Sequence, residues 1–264
     1  MGKRIAVITG ASSGMGREFV RQLDAAERFD EIWAIARHPE ALEELGESLR
    51  ASLRLLPLDL TKDGAGETYA ALLKSEQPEA AVLVNAAGYG VFGAFAERDL
   101  ENQLGIVELN DRALVRMTAL TLPYMTRGSR VYQMGSLSAF QPVPYISVYG
   151  ASKAFVLSFS RALNAELKPR GIRVMAVCPG WVRTAFFGRA VSDDTIVYYN
   201  RWYSPEQVVS RALRDMVRGK DVSVCGLAIR LQVLMVKLLP HRLVMRIWCR
   251  QQKQPRSGEE AGKK

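Results

Sequence analysis

The stretch TGASSGMG, residues 9–16, directly follows the apolar run of residues 5–8 and holds three glycines. Glycine costs conformational entropy in an ordered element, so this cluster indicates a backbone that bends sharply or that something approaches closely. Gly10 is placed to make a tight turn, and Gly14 and Gly16 leave room where an anion would meet the start of a helix. An ordinary strand–helix turn is the alternative. Because strand-like and helix-like patterns alternate in the sequence that follows it, the stretch predicts a strand, a phosphate-binding turn and a helix.

Apolar runs and helical patterns alternate along the rest of the sequence. Strands are predicted at residues 3–9, 31–36, 53–58, 80–84, 130–134, 172–178 and 222–224. Helices are predicted at residues 14–25, 39–50, 64–77, 99–124, 149–168 and 205–218. Most of the strands are continuous apolar runs, as expected of strands that are buried on both faces. The pattern predicts an α/β fold: a doubly wound, Rossmann-like parallel sheet of about seven strands with helices on both faces.

Charge divides the chain into two parts. Residues 1–224 hold 27 Lys/Arg and 25 Asp/Glu, whereas residues 225–264 hold nine and two. We predict one domain over residues 1–224, an apolar and basic helical extension over residues 225–252, and a disordered tail over residues 253–264. The nearly neutral domain carries no nucleic-acid recognition motif, so we expect no nucleic-acid partner.

The three cysteines, Cys178, Cys225 and Cys249, are odd in number and fit no metal-ligand pattern. We therefore expect reduced thiols, no bound metal and a cytoplasmic location. The sequence runs directly into a strand, so we also expect no signal peptide.

The spacing Gly-x-x-x-Gly-x-Gly, with a threonine before the first glycine, resembles that of the short-chain dehydrogenase/reductase family. Further motifs match in the family's order: NAAG at residues 85–88, Asn110 in the next long helix, Ser136 within MGSLSA, YGASK at residues 149–153 and PGWVRT at residues 179–184. The resemblance covers roughly residues 3–225. Each motif alone is weak evidence, whereas the ordered set is specific.

The pair Tyr149 and Lys153 supports the same interpretation on chemical grounds. The two residues are four apart, on one face of the predicted helix. A phenol has a pKa of ~10, and an adjacent ammonium can lower it by ~1–3 units, toward the range of a general acid–base at neutral pH. The alternative is a packed tyrosine beside a solvated lysine. Tyr145 is a rival tyrosine, eight residues before Lys153.

The resemblance implies a role for each residue of the candidate catalytic set. Tyr149 would be the general acid–base, Lys153 would also bind the nicotinamide ribose, and Asn110 would anchor a proton-relay water. Ser136 would hold the substrate oxygen; capping a turn is its alternative, and Ser138 is its rival. Asn110 departs from the family pattern, because DRA follows it instead of the usual small and glycine residues.

The expected cofactor is NADP(H). NAD-selective sites place an acidic residue near the end of the second strand, where this chain has Ala36 and Arg37. A guanidinium binds a ribose 2′-phosphate well, with a solvated arginine as the alternative. Residues and resemblance together give these expected cofactor contacts: Gly10, Ser12, Ser13, Gly14, Met15, Gly16, Arg37, Asp59, Leu60, Asn85, Ala86, Gly88, Tyr149, Lys153, Pro179, Gly180, Val182 and Thr184.

Seven of the chain's 22 aromatic residues are crowded into one short stretch: Trp181, Phe186, Phe187, Tyr198, Tyr199, Trp202 and Tyr203. The resemblance makes residues 181–204 the substrate loop, and this composition suggests an apolar lid. A bulky alcohol or ketone such as a hydroxysteroid or bile acid would suit it, with Arg183, Arg189 or Arg201 available for an acidic group. Retinoid, acyl and smaller carbonyl substrates stay open, as does simple packing of single aromatics.

Residues 222–258 contain no acidic residue, and Pro240 divides their apolar, basic stretch into two short helices. Three roles compete for this extension: covering the substrate cleft, joining subunits, or lying on an anionic membrane surface. The resemblance implies a dimer or tetramer with C-terminal contacts near the site. We therefore expect cleft cover and a homodimer or homotetramer.

Together these features predict an NADP(H)-dependent oxidoreductase that interconverts a secondary alcohol and a ketone on a bulky apolar substrate. A non-catalytic NADP-binding regulator with the same fold is the alternative from another class. A reductase of small or acyl-chain carbonyls is the alternative substrate class. The complete set of Ser136, Tyr149 and Lys153 argues against the regulator, because a sensor needs no general acid.

Overall fold

A computed structural model describes residues 2–38, 40–191 and 193–252. The predicted disordered tail at residues 253–264 lies outside them. The strands are β1 Arg4–Thr9, β2 Glu31–Ala36, β3 Ser52–Pro57, β4 Glu79–Asn85, β5 Arg130–Met134, β6 Arg173–Val177, β7 Trp181–Val182, β8 Trp202–Tyr203 and β9 Val222–Ser223. The helices are α1 Gly14–Ala26, α2 Glu40–Gly46, α3 Ala65–Glu76, α4 Leu100–Val107, α5 Leu114–Thr121, α6 Ser147–Leu167, α7 Phe186–Ala190, α8 Pro205–Val217, α9 Leu227–Leu238 and α10 His241–Gln251. A π-helical turn, Glu108–Ala113, joins α4 to α5.

The described strands β3, β2, β1, β4, β5, β6 and β9 form, in that spatial order, one sheet of seven parallel strands. This confirms the predicted doubly wound sheet. The chain fills one half of the sheet from β1 outward and then returns to add β4 on the other side of β1. In sheets of this kind a ligand binds beyond the carboxyl ends of the strands, where the order reverses.

The sheet separates two hydrophobic cores, which explains why its strands are apolar without alternation. Successive side chains of a strand point to opposite faces. Accordingly Ala6 and Ile8 of β1 pack into a core with α1 and α8, whereas Ile5 and Val7 pack into a core with α3, α5 and α6. Helices therefore cover both faces, as predicted.

Three local features differ from the predictions. The helix predicted at residues 39–50 ends earlier, at Gly46, where the Ser48 hydroxyl donates to the Leu45 carbonyl at 2.8 Å. The helix predicted at residues 99–124 contains the π-helical turn. The short strands β7 and β8 were not predicted; they pair in parallel as a separate sheet and hold the substrate loop closed at its base.

Within the ranges that the structure describes, no helix combines the length and the apolar character needed to cross a membrane.

Candidate active site

The glycine turn between β1 and α1 has the geometry that its sequence predicts. Gly10 and Gly14 adopt left-handed φ angles of +64° and +50°. A Cβ atom on Gly10 would lie 2.8 Å from the backbone of Ala87, and one on Gly16 would lie 2.2 Å from the Gly10 carbonyl oxygen. The turn therefore excludes side chains and presents the amino end of α1 to the space above the sheet.

That space is a cleft of about 700 Å³ at the carboxyl ends of the strands. It is lined by nearly all the expected cofactor contacts: Gly10, Ser12, Ser13, Gly14, Met15, Gly16, Arg37, Asp59, Leu60, Ala86, Gly88, Tyr149, Lys153, Pro179, Gly180, Val182 and Thr184. Ser136 lines the same cleft. Residues from seven separate parts of the sequence thus meet at one site.

Asn85, which was expected to contact the cofactor, is not among the described residues of the cleft lining. Its side chain is buried beneath the cleft, where its amide nitrogen donates to Thr118 Oγ1 at 3.0 Å and to Gln133 Oε1 at 2.9 Å. Asn85 thus ties β4 to β5 and α5. We assign it a structural role.

Asn110 lies in the π-helical turn and is fully buried. Its side chain accepts a hydrogen bond from the Tyr89 amide and donates one to the Tyr89 carbonyl, both at 3.0 Å, and it also donates to Ser152 Oγ at 3.1 Å. The side chain therefore holds the loop after NAAG, and it is not among the described residues of the cleft lining. A Cβ atom on Gly88 would lie 2.7 Å from Asn110 Oδ1 and 3.6 Å from Lys153 Nζ, so the Asn110 amide and the Lys153 ammonium both lie close to Gly88.

Tyr149 and Lys153 lie in the first two turns of α6, and Ser136 follows β5 by two residues. Lys153 Nζ donates to the Met134 carbonyl at 2.8 Å and lies 5.5 Å from the centre of the Tyr149 ring. Ser136 Oγ accepts from the Ser138 amide at 3.2 Å. Ser136 thus caps a turn and also belongs to the cleft lining.

Burial controls the charges of this pair. It raises the pKa of Tyr149 to about 12, against an opposing effect of the Ser136 hydroxyl. The net pKa of Tyr149 therefore lies above the usual value of a phenol, whereas the adjacent ammonium alone was expected to lower it. Burial also lowers the pKa of Lys153 to about 8, and the Asp111 carboxylate opposes this. Tyr149 keeps an edge open to the cleft although it lies deep in the protein.

Arg37 follows β2 directly and is exposed at the rim of the cleft. The charge of Arg37 affects the Asp59 carboxyl. Partial burial would raise the pKa of Asp59, but the hydrogen bonds donated by Thr61, together with the electrostatic attraction of the Arg37 guanidinium, outweigh burial and lower that pKa. Asp59 is held by Thr61, whose hydroxyl donates to it at 2.7 Å. This end of the cleft therefore offers the exposed Arg37 guanidinium near the fixed Asp59 carboxylate.

Tyr89, which follows NAAG, was not among the residues expected at the site. The Arg189 guanidinium of α7 stacks 4.1 Å from the centre of the Tyr89 ring, and both residues line the cleft. Arg183 and Arg201, its two rivals for an acidic substrate group, are exposed, and neither is among the described residues of the lining. Arg189 is the loop arginine that faces the cleft.

The end of the cleft beside Tyr149 is lined by aromatic rings, which we call the aromatic box. The Phe92 ring lies 6.2–6.4 Å from its aromatic neighbours, which are Tyr149, Trp181, Phe186 and Phe187. Val143 and Ile146 complete the apolar wall. The rival Tyr145 packs against this cluster from outside the described lining, with a left-handed φ of +67°.

The C-terminal extension reaches the same cleft. Trp248 and Gln251 of α10 and Gln232 of α9 line it. The Trp248 indole nitrogen donates to the Pro144 carbonyl at 3.0 Å, and Gln252 accepts from the amides of residues 197 and 198. None of these contacts was predicted from the sequence. The signals that it offers are the apolar loops at residues 89–95 and 141–146 and the single tryptophan of residues 225–264.

Comparison with known proteins agrees with this geometry. Residues 4–195 match the short chain dehydrogenase family. The probable short-chain type dehydrogenase/reductase VdlC from Helicobacter pylori is 30% identical over 226 residues, which cover 83% of this chain and 81% of the relative.

Two solved structures are similar along nearly the whole chain. The short-chain dehydrogenase from Sphingobium yanoikuyae in complex with NADPH is 28% identical, with a TM-score of 0.75, and the match covers 97% of this chain and 99% of that one. The bulky-bulky ketone specific alcohol dehydrogenase from Comamonas testosteroni is 25% identical, with a TM-score of 0.70, and the match covers 97% of each chain. Motifs, strand order and these matches agree that the chain belongs to the short-chain dehydrogenase family of oxidoreductases, which act on alcohol and ketone groups.

Proposed function

We propose that this oxidoreductase uses NADP(H) to interconvert a bulky, apolar secondary alcohol and its ketone. The observation that carries the proposal is the setting of Tyr149. Its ring closes one end of the cleft inside the aromatic box, with Ser136 and the Lys153 ammonium beside it.

Tyr149 supplies the proton. With a pKa of about 12, its phenol is protonated at neutral pH, and the protonated form is the one that donates to the oxygen of a ketone during reduction. In alcohol oxidation the same group accepts a proton, so the charge of its surroundings decides how readily the phenolate forms.

Lys153 stabilises that phenolate. Its ammonium is fixed by the Met134 carbonyl at 2.8 Å and lies 5.5 Å from the centre of the Tyr149 ring. A fixed cation near the ring lowers the free energy of the charge that develops when the phenol gives up its proton. The lysine does this only while it is charged, that is, below its own pKa of about 8.

Ser136 orients the substrate oxygen. Its own oxygen is held in place by the Ser138 amide at 3.2 Å, and the two serine hydroxyls lie 3.3 Å apart. A hydroxyl whose oxygen is fixed in this way can direct its proton toward a carbonyl oxygen at the open side of the cleft.

The cofactor site fits a dinucleotide phosphate. Gly10 and Gly16 leave no room for a Cβ, and among the described residues no side chain caps the amino end of α1, which leaves its amides and positive dipole to an anion. Arg37 would bind the 2′-phosphate, Asp59 and Leu60 would flank the adenine, and Val182 and Thr184 would bind the carboxamide. When bound, the nicotinamide supplies or accepts the hydride. The NADPH complex of the Sphingobium relative supports the choice of cofactor.

The shape and chemistry of the cleft support a bulky substrate. The aromatic box is apolar, whereas the wall formed by the extension carries amides. Gln141 Oε1 is buried beside the cleft without a hydrogen-bond partner among the described residues, so it is available to a substrate hydroxyl or amine. Arg189 suits a substrate with an acidic group. Activity of the Comamonas relative on bulky-bulky ketones supports a ketone with two large substituents.

Oxidation of NADPH by a panel of ketones of increasing size, followed by absorbance, tests the proposal. We expect turnover that rises with apolar bulk, and little turnover with acetone-sized ketones. Tight NADPH binding with no turnover of any ketone would instead favour the non-catalytic regulator. Preference for small or acyl-chain carbonyls would retain the enzyme and reject the substrate class.

We also propose a homo-oligomer, a dimer or a tetramer. Leu100 and Val107, two turns apart on α4, are 60% and 42% exposed, and Phe155 of the adjacent α6 is 44% exposed and stacked on Phe159. An exposed apolar patch on packed helices is typical of subunit contacts. Light scattering coupled to size exclusion measures the mass, and a monomer at all concentrations would contradict the proposal.

A further inference from the structure

Helix α9 is apolar on two opposite faces. Its inner face is buried against the body of the protein: Ile229, Val233 and Val236. Its outer face is a stripe of exposed leucines: Leu227, Leu231, Leu234 and Leu238. The spacing of four, three and four residues places the leucines on one side of the helix, and the two end leucines are 80% and 76% exposed. An exposed apolar stripe of this length marks a surface that contacts a partner or a membrane.

Helix α10 carries a stripe of the opposite character. Arg242, Arg246 and Arg250 follow one another at intervals of four residues and are all exposed. Like charges at this spacing destabilise a helix unless a counter-charge lies nearby. The sequence has no acidic residue between positions 222 and 252 to provide one. Leu243 and Ile247, which are exposed beside the arginines, give this stripe an apolar edge.

The inner sides of both helices contact the rest of the protein, so only their outer sides are available to a partner. On α9, Gln232 accepts a hydrogen bond from the side-chain amide of Asn200 at 3.0 Å. On α10, Trp248 donates to the Pro144 carbonyl, and Val244 is buried. The leucine and arginine stripes are the sides that face away from these contacts. They belong to consecutive helices joined through Leu239 and Pro240.

Apolar side chains next to arginines, with no acidic residue among them, match the chemistry of an anionic lipid surface. A second copy of the chain is a poorer match, because a two-fold symmetric contact brings the same patch of each subunit together and would oppose cationic stripes. We propose that α9 and α10 bind the surface of an anionic membrane, with the α9 leucines among the acyl chains and the α10 arginines at the lipid phosphates. The proposal is independent of the proposed substrate.

Co-sedimentation of the full chain with vesicles tests it. One set of vesicles is made of phosphatidylcholine alone and a second contains phosphatidylserine as well. We expect binding to the phosphatidylserine vesicles, weaker binding to the neutral ones, and loss of the difference at high salt, because salt screens exposed charges. Absence of binding to either set, or equal binding to both, would overturn the proposal.

A first variant removes the apolar contribution by the combined changes Leu231→Glu, Leu234→Glu and Leu238→Glu. All three side chains are more than half exposed and none lines the cleft among the described residues, so folding and ketone turnover should persist. We expect vesicle binding to be lost. Unchanged binding would overturn insertion of α9.

A second variant, Arg242→Glu with Arg246→Glu and Arg250→Glu, reverses the cationic stripe. Each basic residue near an anionic surface contributes enough that removing three weakens binding by on the order of a hundred-fold, and reversal weakens it further. Replacing the same three arginines by lysine should keep most of the binding, since the charge is retained.

A matched control reverses three exposed cations elsewhere, with Arg28→Glu, Lys74→Glu and Lys168→Glu. It has the same net charge as the arginine variant and should still bind. Equal loss in both would show that overall charge, not α10, drives the attraction, and would overturn the assignment. Sedimentation velocity tests the alternative that a second copy of the chain covers the leucine stripe. If the leucine variant binds vesicles normally but no longer forms an oligomer, the stripe is a subunit contact and the proposal is overturned.

Discussion

Lys153 Nζ donates a hydrogen bond to the carbonyl oxygen of Met134 at 2.8 Å. The last residue of β5 therefore fixes the Lys153 ammonium from the strand side, whereas α6 fixes it from the helix side. Because both elements belong to the central sheet and its cover, the distance between the ammonium and the Tyr149 ring is set by the core of the fold and not by a surface loop.

Replacing Tyr149 with phenylalanine should remove the proton donor and leave the aromatic box in place. We expect turnover to fall by ~10²–10⁴-fold, the usual contribution of a general acid, with little change in NADPH affinity. Tyr145→Phe is the control, because Tyr145 packs on the same cluster from outside the described cleft lining. Turnover of the Tyr149 variant within about twofold of the parent would remove this residue from catalysis.

The rate of ketone reduction should fall as pH rises through the pKa of Lys153, about 8. Below that pH the lysine is charged and stabilises the phenolate; above it the charge is lost, while Tyr149, with a pKa of about 12, still holds its proton. A profile of kcat/KM against pH measures this limb. A flat profile between pH 7 and pH 9 would exclude the lysine as the controlling group.

Asp111→Asn should move that limb to lower pH. The Asp111 carboxylate raises the pKa of Lys153 against the effect of burial, so removing its charge leaves burial unopposed. Burial raises the pKa of Asp111 itself to about 6. This value is still below the pKa of Lys153, so the carboxyl is mostly charged at the pH where the lysine loses its proton. A limb that stays in place or moves to higher pH would show that the carboxylate does not act on Lys153.

Arg37→Asp should weaken NADPH binding far more than NADH binding. A hydrogen-bonded charge contributes ~1.5–3 kcal/mol, so its loss costs roughly ten-fold to a hundred-fold, and the added aspartate repels the 2′-phosphate further. Arg28→Asp, an exposed change outside the described cleft lining, is the control. Equal losses for both cofactors, measured by fluorescence titration, would make Arg37 merely structural.

Gly88→Ala should destabilise the protein by ~1–3 kcal/mol, the typical cost of overpacking, because the new methyl group would meet the Asn110 amide. Gly188→Ala is the matched control: its Cβ would meet nothing within 4 Å, so we expect no loss. Thermal unfolding measures both. A Gly88 variant as stable as the control would show that the loop after NAAG yields easily.

Trp248→Ala should weaken binding of bulky ketones while leaving small ones unaffected. A large apolar side chain contributes ~1.5–3 kcal/mol when it is fully covered, so KM should rise by about ten-fold or more for substrates that reach α10. Trp248→Phe should retain most of the affinity. Equal effects on small and large ketones would mean that the indole supports the fold, through its bond to Pro144, and does not contact substrate.

The fold and the positions of most cofactor contacts follow from local sequence, because each lies at a strand end or in a turn with a chemical signature. Asn85 shows the limit of that reasoning. Asn85 is the last residue of β4, so its side chain can point into the cleft or remain buried beneath it. Hydrogen bonds to Thr118 and Gln133, which are 33 and 48 residues away in the sequence, hold it in the buried position. Side-chain direction at a strand end is a property of the packed protein.

The pKa of Tyr149 shows a second limit. Spacing along a helix places an ammonium near a phenol, but it says nothing of how deeply the pair is buried, and here burial dominates. Trp248 shows a third. It lies 99 positions after Tyr149 in a helix whose amphipathic pattern would suit many surroundings, and only the tertiary structure brings it to the cleft.

The pairing of β7 with β8 has a consequence for how enzymes with this framework diversify. The chain enters the substrate loop at Val182 and leaves it at Trp202, and these two ends are clamped side by side by backbone hydrogen bonds. A loop whose ends are fixed can change length at a small entropic cost, since closure entropy grows only slowly with length. Insertions, deletions or exchanges in the part of the loop beyond Thr184, Phe186 and Phe187 would therefore leave Ser136, Tyr149 and Lys153 in place, and that part is suited to engineering new substrate preferences onto the same chemistry.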